Sequence, residues 1–305
     1  MNCNQCPRKC NTDRSERLGF CGASHLPTVA TVCLHTGEEP PVSGMKGIVN
    51  VFFTHCNLHC LYCQNHDISG RVVDEKLVRF RGSEAIAVEV ERLLPQSEGL
   101  VGFVTPSHCP ETVIEVVEKL RFDGFSPVVV YNSGGYDSVE TLRRLEPYID
   151  IYLPDFKYAD SQLAARLSSA PDYPDVALAA LREMYRQKGS GLMCDERGMA
   201  YRGMIVRHLV LPGHVDNSLA ALELLADNLP MNLHLSLMAQ YFPPDDCSAL
   251  LAAGEPDLCR TLTADEYNRV VDRYNSLGFY NGWLQELCAE SSYRPHFDNT
   301  ETPFR

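Results

Sequence analysis

The feature that most constrains this chain is an alternation. Six short apolar runs are separated by segments of helical period. The runs are Gly47–Phe53 (GIVNVFF), Leu100–Val104 (LVGFV), Pro127–Tyr131 (PVVVY), Ile149–Leu153 (IDIYL), Ile205–Leu211 (IVRHLVL) and Asn232–Met238 (NLHLSLM). They are short, rich in β-branched residues and bounded by Gly, Pro or Asn, as buried parallel strands are. Between them, PETVIEVVEKL starts with Pro110 in its first turn and sets Val113, Val116, Val117 and Leu120 on one face. PDVALAALREMYRQKG ends in a basic turn and Gly189. TADEYNRVVDRYNSLG opens with a capping box of Thr263 and Glu266, carries the stripe Tyr267, Val270, Val271, Tyr274 and Leu277, and closes at Gly278. Six β/α units in succession predict a parallel sheet with right-handed crossovers, either an open doubly wound sheet or a complete or partial barrel. No Gly-rich dinucleotide fingerprint follows the first run, which weighs against a nucleotide-binding doubly wound sheet.

In such architectures the chemistry sits at the C-terminal ends of the strands. Cys56, Cys60 and Cys63 follow the first run, and TPSHC (Thr105 to Cys109) follows the second. NSGGY (Asn132 to Tyr136) follows the third, and Asp155 with Lys157 the fourth. His214 and Gln240 follow the fifth and sixth. Cys56, Cys60 and Cys63 are spaced C-x3-C-x2-C. Thiolates suit iron–sulfur clusters and zinc. Three on one loop can hold three corners of a 4Fe–4S cube, leaving one iron open. The competing arrangements are a zinc site completed by His55, His59 or His66 and a set of inert buried thiols.

Residues 1–45 differ: they are rich in cysteine and lack strong periodicity. They are expected to form a small N-terminal extension ahead of the barrel at 46–305. Cys3, Cys6, Cys10 and Cys21 are spaced C-x2-C-x3-C-x10-C. With no apolar core around them they call for a metal, either structural zinc or a second iron–sulfur cluster that relays electrons to the first. Glu38 and Glu39, before two prolines, form either a solvated turn or part of the barrel rim. Cys33, Cys194, Cys247, Cys259 and Cys288 are isolated, and NGWLQEL (Asn281 to Leu287) carries no assignable chemistry.

The formal net charge of −13 argues against nucleic acid and anionic membranes as partners. No run approaches the roughly 18 apolar residues of a membrane span, and Met1 is not followed by a secretory pattern. The chain is expected to be soluble and cytoplasmic. There, its 13 cysteines read as metal ligands rather than disulfides.

C-x3-C-x-aromatic-C after the first strand of a β/α series resembles the radical S-adenosylmethionine superfamily. FVTPSH, YNSGGYDSVETL, DIYLPDFKY, IVRHLVLPG and LSLMAQY resemble its PflX-type branch, related to pyruvate formate-lyase activating enzymes. The resemblance implies a partial (β/α)6 TIM-like barrel. It implies an oxidoreductase in which Cys56, Cys60 and Cys63 hold a 4Fe–4S cluster whose open iron chelates S-adenosylmethionine. Reductive cleavage then gives a 5′-deoxyadenosyl radical that abstracts a hydrogen. Tyr62 would lie near the adenine, with Asp155 and Lys157 on the ribose or amino group and the carboxylate. A flavodoxin- or ferredoxin-type donor is implied, with a glycyl-radical enzyme as partner. The activating enzymes carry Gly-Gly-Glu after the second strand; here Thr105-Pro106-Ser107-His108 stands there. Either Asn132 and Ser133 make that contact or the cofactor is posed differently. The alternatives are a radical enzyme for a small molecule or another peptide, and a non-catalytic iron–sulfur or zinc protein.

Overall fold

The computed structural model describes residues 3–287, 295–297 and 303–304, so Cys288 lies outside the described residues. Ten strands are joined in one sheet. They are β1 (Thr28–His35), β2 (Ile48–Phe53), β3 (Phe80–Arg81), β4 (Leu100–Val104), β5 (Val128–Ser133), β6 (Ile151–Pro154), β7 (Met193–Cys194), β8 (Ala200–Leu209), β9 (His234–Met238) and β10 (Asn281–Leu284). The helices are α1 (Pro40–Ser43), α2 (His66–Ser69), α3 (Ser83–Leu93), α4 (Pro110–Phe122), α5 (Val139–Leu145), α6 (Ser161–Ser168), α7 (Tyr173–Lys188), α8 (Val215–Asn228), α9 (Ser248–Ala252) and α10 (Ala264–Leu277).

All six runs read from the sequence are strands: β2, β4, β5, β6, β8 and β9. They pair in parallel in chain order, and β10 adds a seventh parallel strand beside β9. This order never reverses, so the parallel part has no topological switch point. A doubly wound sheet would have one. Winding in a single direction with crossovers of one hand places the helices on one face, as in a barrel. The sheet stays open and ends in antiparallel strands, with β1 between β2 and β3. The fold is therefore a partial barrel.

Two features were not legible. Trp283 and its neighbours form β10, whose sequence NGWL is too short and too polar to stand out as a buried run. The first 45 residues hold two different things: the cysteine turns as far as Gly22, and β1, a strand of the main sheet paired with β2 and β3.

Helix ends follow their local signals. Pro110 is the first residue of α4, and Val113, Val116, Val117 and Leu120 are all buried. Gly189 ends α7 at φ 83. Thr263 and Glu266 make both halves of the capping box on α10. The helices cover one face of the sheet through Val49, Val51, Val101, Phe103, Val129, Tyr131 and Val206. Alternate residues face the barrel interior. Ile48, Leu100, Val130, Ile151 and Ile205 form an apolar layer there with Val42 and Met199. Polar residues gather toward the C-terminal ends.

The Gly-Gly of NSGGY is fixed by close packing at that end. A Cβ on Gly135, at φ +75, would lie 2.1 Å from the carbonyl oxygen of Asp155. Gly135→Ala is therefore expected to lower stability by more than ~1 kcal/mol, seen as a reduced urea midpoint with an unchanged slope. An unaltered midpoint would contradict this packing.

Candidate metal and cofactor site

The C-terminal ends of the parallel strands surround a cavity of about 440 Å³. Cys56, Cys60, Tyr62 and Cys63 line it from the loop after β2. Asn132, Ser133 and Gly134 line it from the end of β5, and Asp155 and Lys157 from the end of β6. Thr105 and Gln240 also line it, so most of the rim residues read from strand ends converge.

The loop is held on several sides. His55 adopts φ 66, with its amide donating to the Ile68 carbonyl at 2.6 Å. The Asn57 side chain donates to the Tyr136 carbonyl at 2.7 Å, and the Leu61 amide to the Leu167 carbonyl at 2.8 Å. Gln64 donates to the Gln240 carbonyl at 2.7 Å, spanning from β2 to the end of β9.

Each of the three sulfurs accepts a hydrogen bond. The Leu58 amide donates to Cys56 Sγ at 3.3 Å, the Ser168 hydroxyl to Cys60 Sγ at 2.9 Å and the Ser69 hydroxyl to Cys63 Sγ at 3.2 Å. Ser168 has one proton. Donating it to Cys60 leaves its oxygen to accept from Tyr158 at 2.6 Å, and Tyr158 to accept from Tyr62 at 2.7 Å. The buried relay Tyr62–Tyr158–Ser168–Cys60 thus aims a donor at the Cys60 sulfur. Without a metal, burial and the neighbouring Cys60 push Cys56 well above the ordinary thiol range. Donors directed at sulfur suit a thiolate held on a metal.

Asp155 and Lys157 form an ion pair, each about one-fifth exposed. Burial works against the Lys157 ammonium. Asp155 and the Cys60 sulfur outweigh it, holding Lys157 protonated well above its usual range. The Lys157 amide also receives structure from Tyr173, donating to its hydroxyl at 2.9 Å. Ser133 is less available than the sequence suggests. Its hydroxyl donates to Asp137 at 2.6 Å and accepts from the Gly135 amide at 3.2 Å.

The candidate fourth ligands for zinc point elsewhere. His55 Nδ1 meets the Gly70 carbonyl at 3.0 Å, the His59 ring stacks on Phe20 at 4.3 Å, and exposed His66 pairs with Asp67 at 3.0 Å. Among the described residues, no three His, Cys, Asp or Glu side chains gather as a single metal ion would require. His214 does not reach the cavity. It stands at the N-cap position of α8 without a side-chain capping bond, and its ring faces Glu255 at 2.8 Å. His108 and Cys109 are buried outside the cavity. His108 Nε2 faces the Thr54 carbonyl at 2.9 Å, and burial drives its pKa down to about 3.

Sequence reasoning missed Arg207. On β8 it shares the interior face with Ile205 and Leu209, and its guanidinium binds both Glu38 and Glu39, with Nε at 2.9 Å from Glu39. The side chains of Glu38 and Glu39 are only 8% and 6% exposed, which rules out the solvated turn. Asn50 donates to Glu38 at 2.8 Å and needs Gly102 opposite, where a Cβ would come within 2.1 Å of the Asn50 oxygen. A charge at the odd position of an apolar strand was the available signal.

No family model matches this chain. An uncharacterized protein, MJ0674, of Methanocaldococcus jannaschii is 28% identical over 285 residues, covering 90% of this chain and 75% of that protein. A domain of a pyruvate-formate lyase-activating enzyme from Bacteroides vulgatus is 14% identical with a TM-score of 0.40, covering 58% of this chain and 91% of that one. Streptococcus suis SuiB bound to S-adenosylmethionine is 12% identical with a TM-score of 0.45, covering 76% of this chain and 48% of that one. This chain thus spans about half the length of SuiB. Among the described residues no helix is long and apolar enough to cross a membrane.

The buried charges give a pH test. Burial alone would raise Glu38, but Arg207 and His35 hold its carboxyl down to about 2. A depressed carboxylate stabilises the fold above its unfolded pKa of roughly 4.3, and that contribution disappears as pH falls toward the folded value. Acid titration of thermal stability should therefore show a loss on the order of 3 kcal/mol from this group between about pH 4.5 and 2. Glu38→Gln should be less stable at neutral pH and flatter across that window; an equally steep acid limb would contradict the assignment.

Proposed function

We propose that this chain is a radical S-adenosylmethionine enzyme. Cys56, Cys60 and Cys63 would hold a 4Fe–4S cluster, and the cavity beside it would take S-adenosylmethionine with its amino acid end toward the cluster. The observation that carries this reading is the three-cysteine loop itself. It lies at the C-terminal rim beside the cavity, a hydrogen bond aims at every sulfur, and His55, His59 and His66 are each engaged elsewhere. When bound, the cluster and S-adenosylmethionine would together supply one-electron reductive cleavage of the sulfonium and, through it, hydrogen-atom abstraction from the substrate.

The chain's own residues bind and orient. Lys157, kept protonated, attracts the carboxylate, and Asp155 beside it accepts from the amino group or the ribose hydroxyls. The Tyr62 ring, buried on the cavity wall, offers a face to the adenine. Asn132 also lines the cavity and takes the polar contact that an acid after β4 would otherwise make. Ser133 contributes through its backbone, its hydroxyl being bound to Asp137.

An activase-like reaction would take the hydrogen from a glycine Cα on a partner protein. One observation favours a different target with the same chemistry. Glu38, Glu39 and Arg207 line the same cavity, and a charged wall suits a small polar molecule better than a glycine loop. A low-potential flavodoxin- or ferredoxin-type donor supplies the electron in either case.

Anaerobic reconstitution with iron and sulfide, then dithionite and S-adenosylmethionine, should release 5′-deoxyadenosine and methionine in equal amounts. Cys60→Ala should release none. Loss of a charge-assisted contact in Lys157→Ala should raise the KM for S-adenosylmethionine about tenfold or more. A protein with a full cluster that leaves S-adenosylmethionine intact would overturn this function. A doublet glycyl-radical signal on an added protein would select the activase reaction over the small-molecule one.

A further inference from the structure

The N-terminal cysteines lie away from the cavity and have no part in the reaction described above. Cys3, Cys6 and Cys21 are buried and Cys10 is half-buried, in a segment with almost no apolar core of its own. The backbone there is arranged around sulfur. The Arg8 amide donates to Cys6, the Ala23 amide to Cys21 and the Phe20 amide to Cys10 at 3.3 Å. Two of these contacts run from residue i+2 to the sulfur of residue i, the same local turn by which Leu58 donates to Cys56. Lys9 and Asn11 take left-handed φ values of 42 and 50 to make the turn, and Gly19 packs where a Cβ would stand 3.1 Å from Cys10 Sγ. The Arg14 guanidinium reaches Cys21 Sγ at 3.6 Å. Amides and a cation pointed at three of the four thiols, Cys6, Cys10 and Cys21, prepare them for negative charge, which only metal-bound thiolates would carry there.

The segment is also docked directly on the three-cysteine loop. Arg8 Nε donates to the Asn57 carbonyl at 2.9 Å, and its head groups reach the carbonyls of Ser168 and Ser169. Its guanidinium lies 3.8 Å from the Phe20 ring centroid. Phe20, whose amide holds Cys10, stacks at 4.3 Å and 16° on His59, the residue just before Cys60. Ser168, beside the Arg8 contact, donates to Cys60. A continuous packed path therefore leads from Cys10 through Phe20 and His59 to Cys60.

We infer that Cys3, Cys6, Cys10 and Cys21 bind a second iron–sulfur cluster and that it passes electrons to the site at Cys56, Cys60 and Cys63. Zinc would need its four sulfurs drawn about one atom. A zinc staple has no use for the packed path from Cys10 through Phe20 and His59 to Cys60, whereas a cluster that relays electrons does. The transfer moves one electron from a reduced, low-potential one-electron donor protein to the N-terminal cluster, then to the loop cluster, with no bond made or broken until S-adenosylmethionine is reduced. Exposed Lys9, Arg17 and Arg71 suit an acidic donor, Arg71 packing its backbone against Gly22. The destination of the electron rests on the proposed function; the cluster itself does not.

The test is iron, sulfide and zinc analysis of the anaerobically reconstituted full chain, a Cys6→Ser/Cys10→Ser variant and a Cys56→Ala/Cys60→Ala/Cys63→Ala variant. The expected result is about eight irons in the parent and about four in each variant, with distinct reduced paramagnetic resonance spectra. One zinc per chain, lost in Cys6→Ser/Cys10→Ser, would overturn the inference. So would about four irons in the parent that survive in Cys6→Ser/Cys10→Ser, a result that leaves the loop cluster standing. About four irons that survive only in the triple variant would keep the N-terminal cluster and remove the loop cluster. For the relay, the rate of 5′-deoxyadenosine release with a reduced flavodoxin, divided by that with dithionite, should fall at least tenfold in Cys6→Ser/Cys10→Ser. Equal loss with both reductants would overturn the relay, and the circular dichroism spectrum and thermal midpoint report whether that variant is folded.

Discussion

Everything in this molecule depends on winding in a single direction. From β2 to β10 the parallel strands are laid down in chain order, so each C-terminal end falls next to that of the strand before it. The cysteine loop, the Asn132 turn, the Asp155–Lys157 segment and Gln240 are far apart in sequence and share one rim because of this order. A reversal anywhere would have put half of them on the other side of a crevice. The open edge beyond β2 is taken up by antiparallel β1 and β3. Through the turn after β1 it also brings Glu38 and Glu39 into the interior.

That interior is polar where it is functional. The side chains of Arg207, Glu38, Glu39 and Asn50 are largely withdrawn from solvent together, and a charge cluster of this kind is weak evidence of stability. Leaving any one partner out would strand the others, which is expensive in a low-dielectric site. Their value is better sought in what they present to the cavity. The same holds at the rim, where the Tyr62–Tyr158–Ser168 relay directs the Ser168 proton to Cys60. Structure close to the cysteines is hydrogen-bonded in a definite sense rather than merely packed.

Much of this was legible in the sequence, for identifiable reasons. The six buried strands are β-branched runs with sharp boundaries, and the helix signals at Pro110, Gly189 and Thr263 are local, so both survive folding unchanged. The rim was legible because strand ends point one way in parallel folds. What escaped depends on distant partners. β10 is a strand only because β9 offers an edge to it. His214 follows a strand end, but Glu255 draws it aside. Ser133 looks free until Asp137 folds back onto it. Arg207 needed the period of β8 to be read together with the acids at 38 and 39, which precede it by more than 160 residues.

The central claim is that the protein leaves one coordination position of the loop cluster for S-adenosylmethionine. The direct measurement is electron–nuclear double resonance on the reduced, reconstituted protein with S-adenosylmethionine labelled with nitrogen-15 at its amino group. The account predicts a hyperfine coupling between that nitrogen and the cluster, present in the parent and absent when Cys56, Cys60 and Cys63 are replaced by Ala. A fully loaded cluster whose spectrum is unchanged by the labelled cofactor would contradict it.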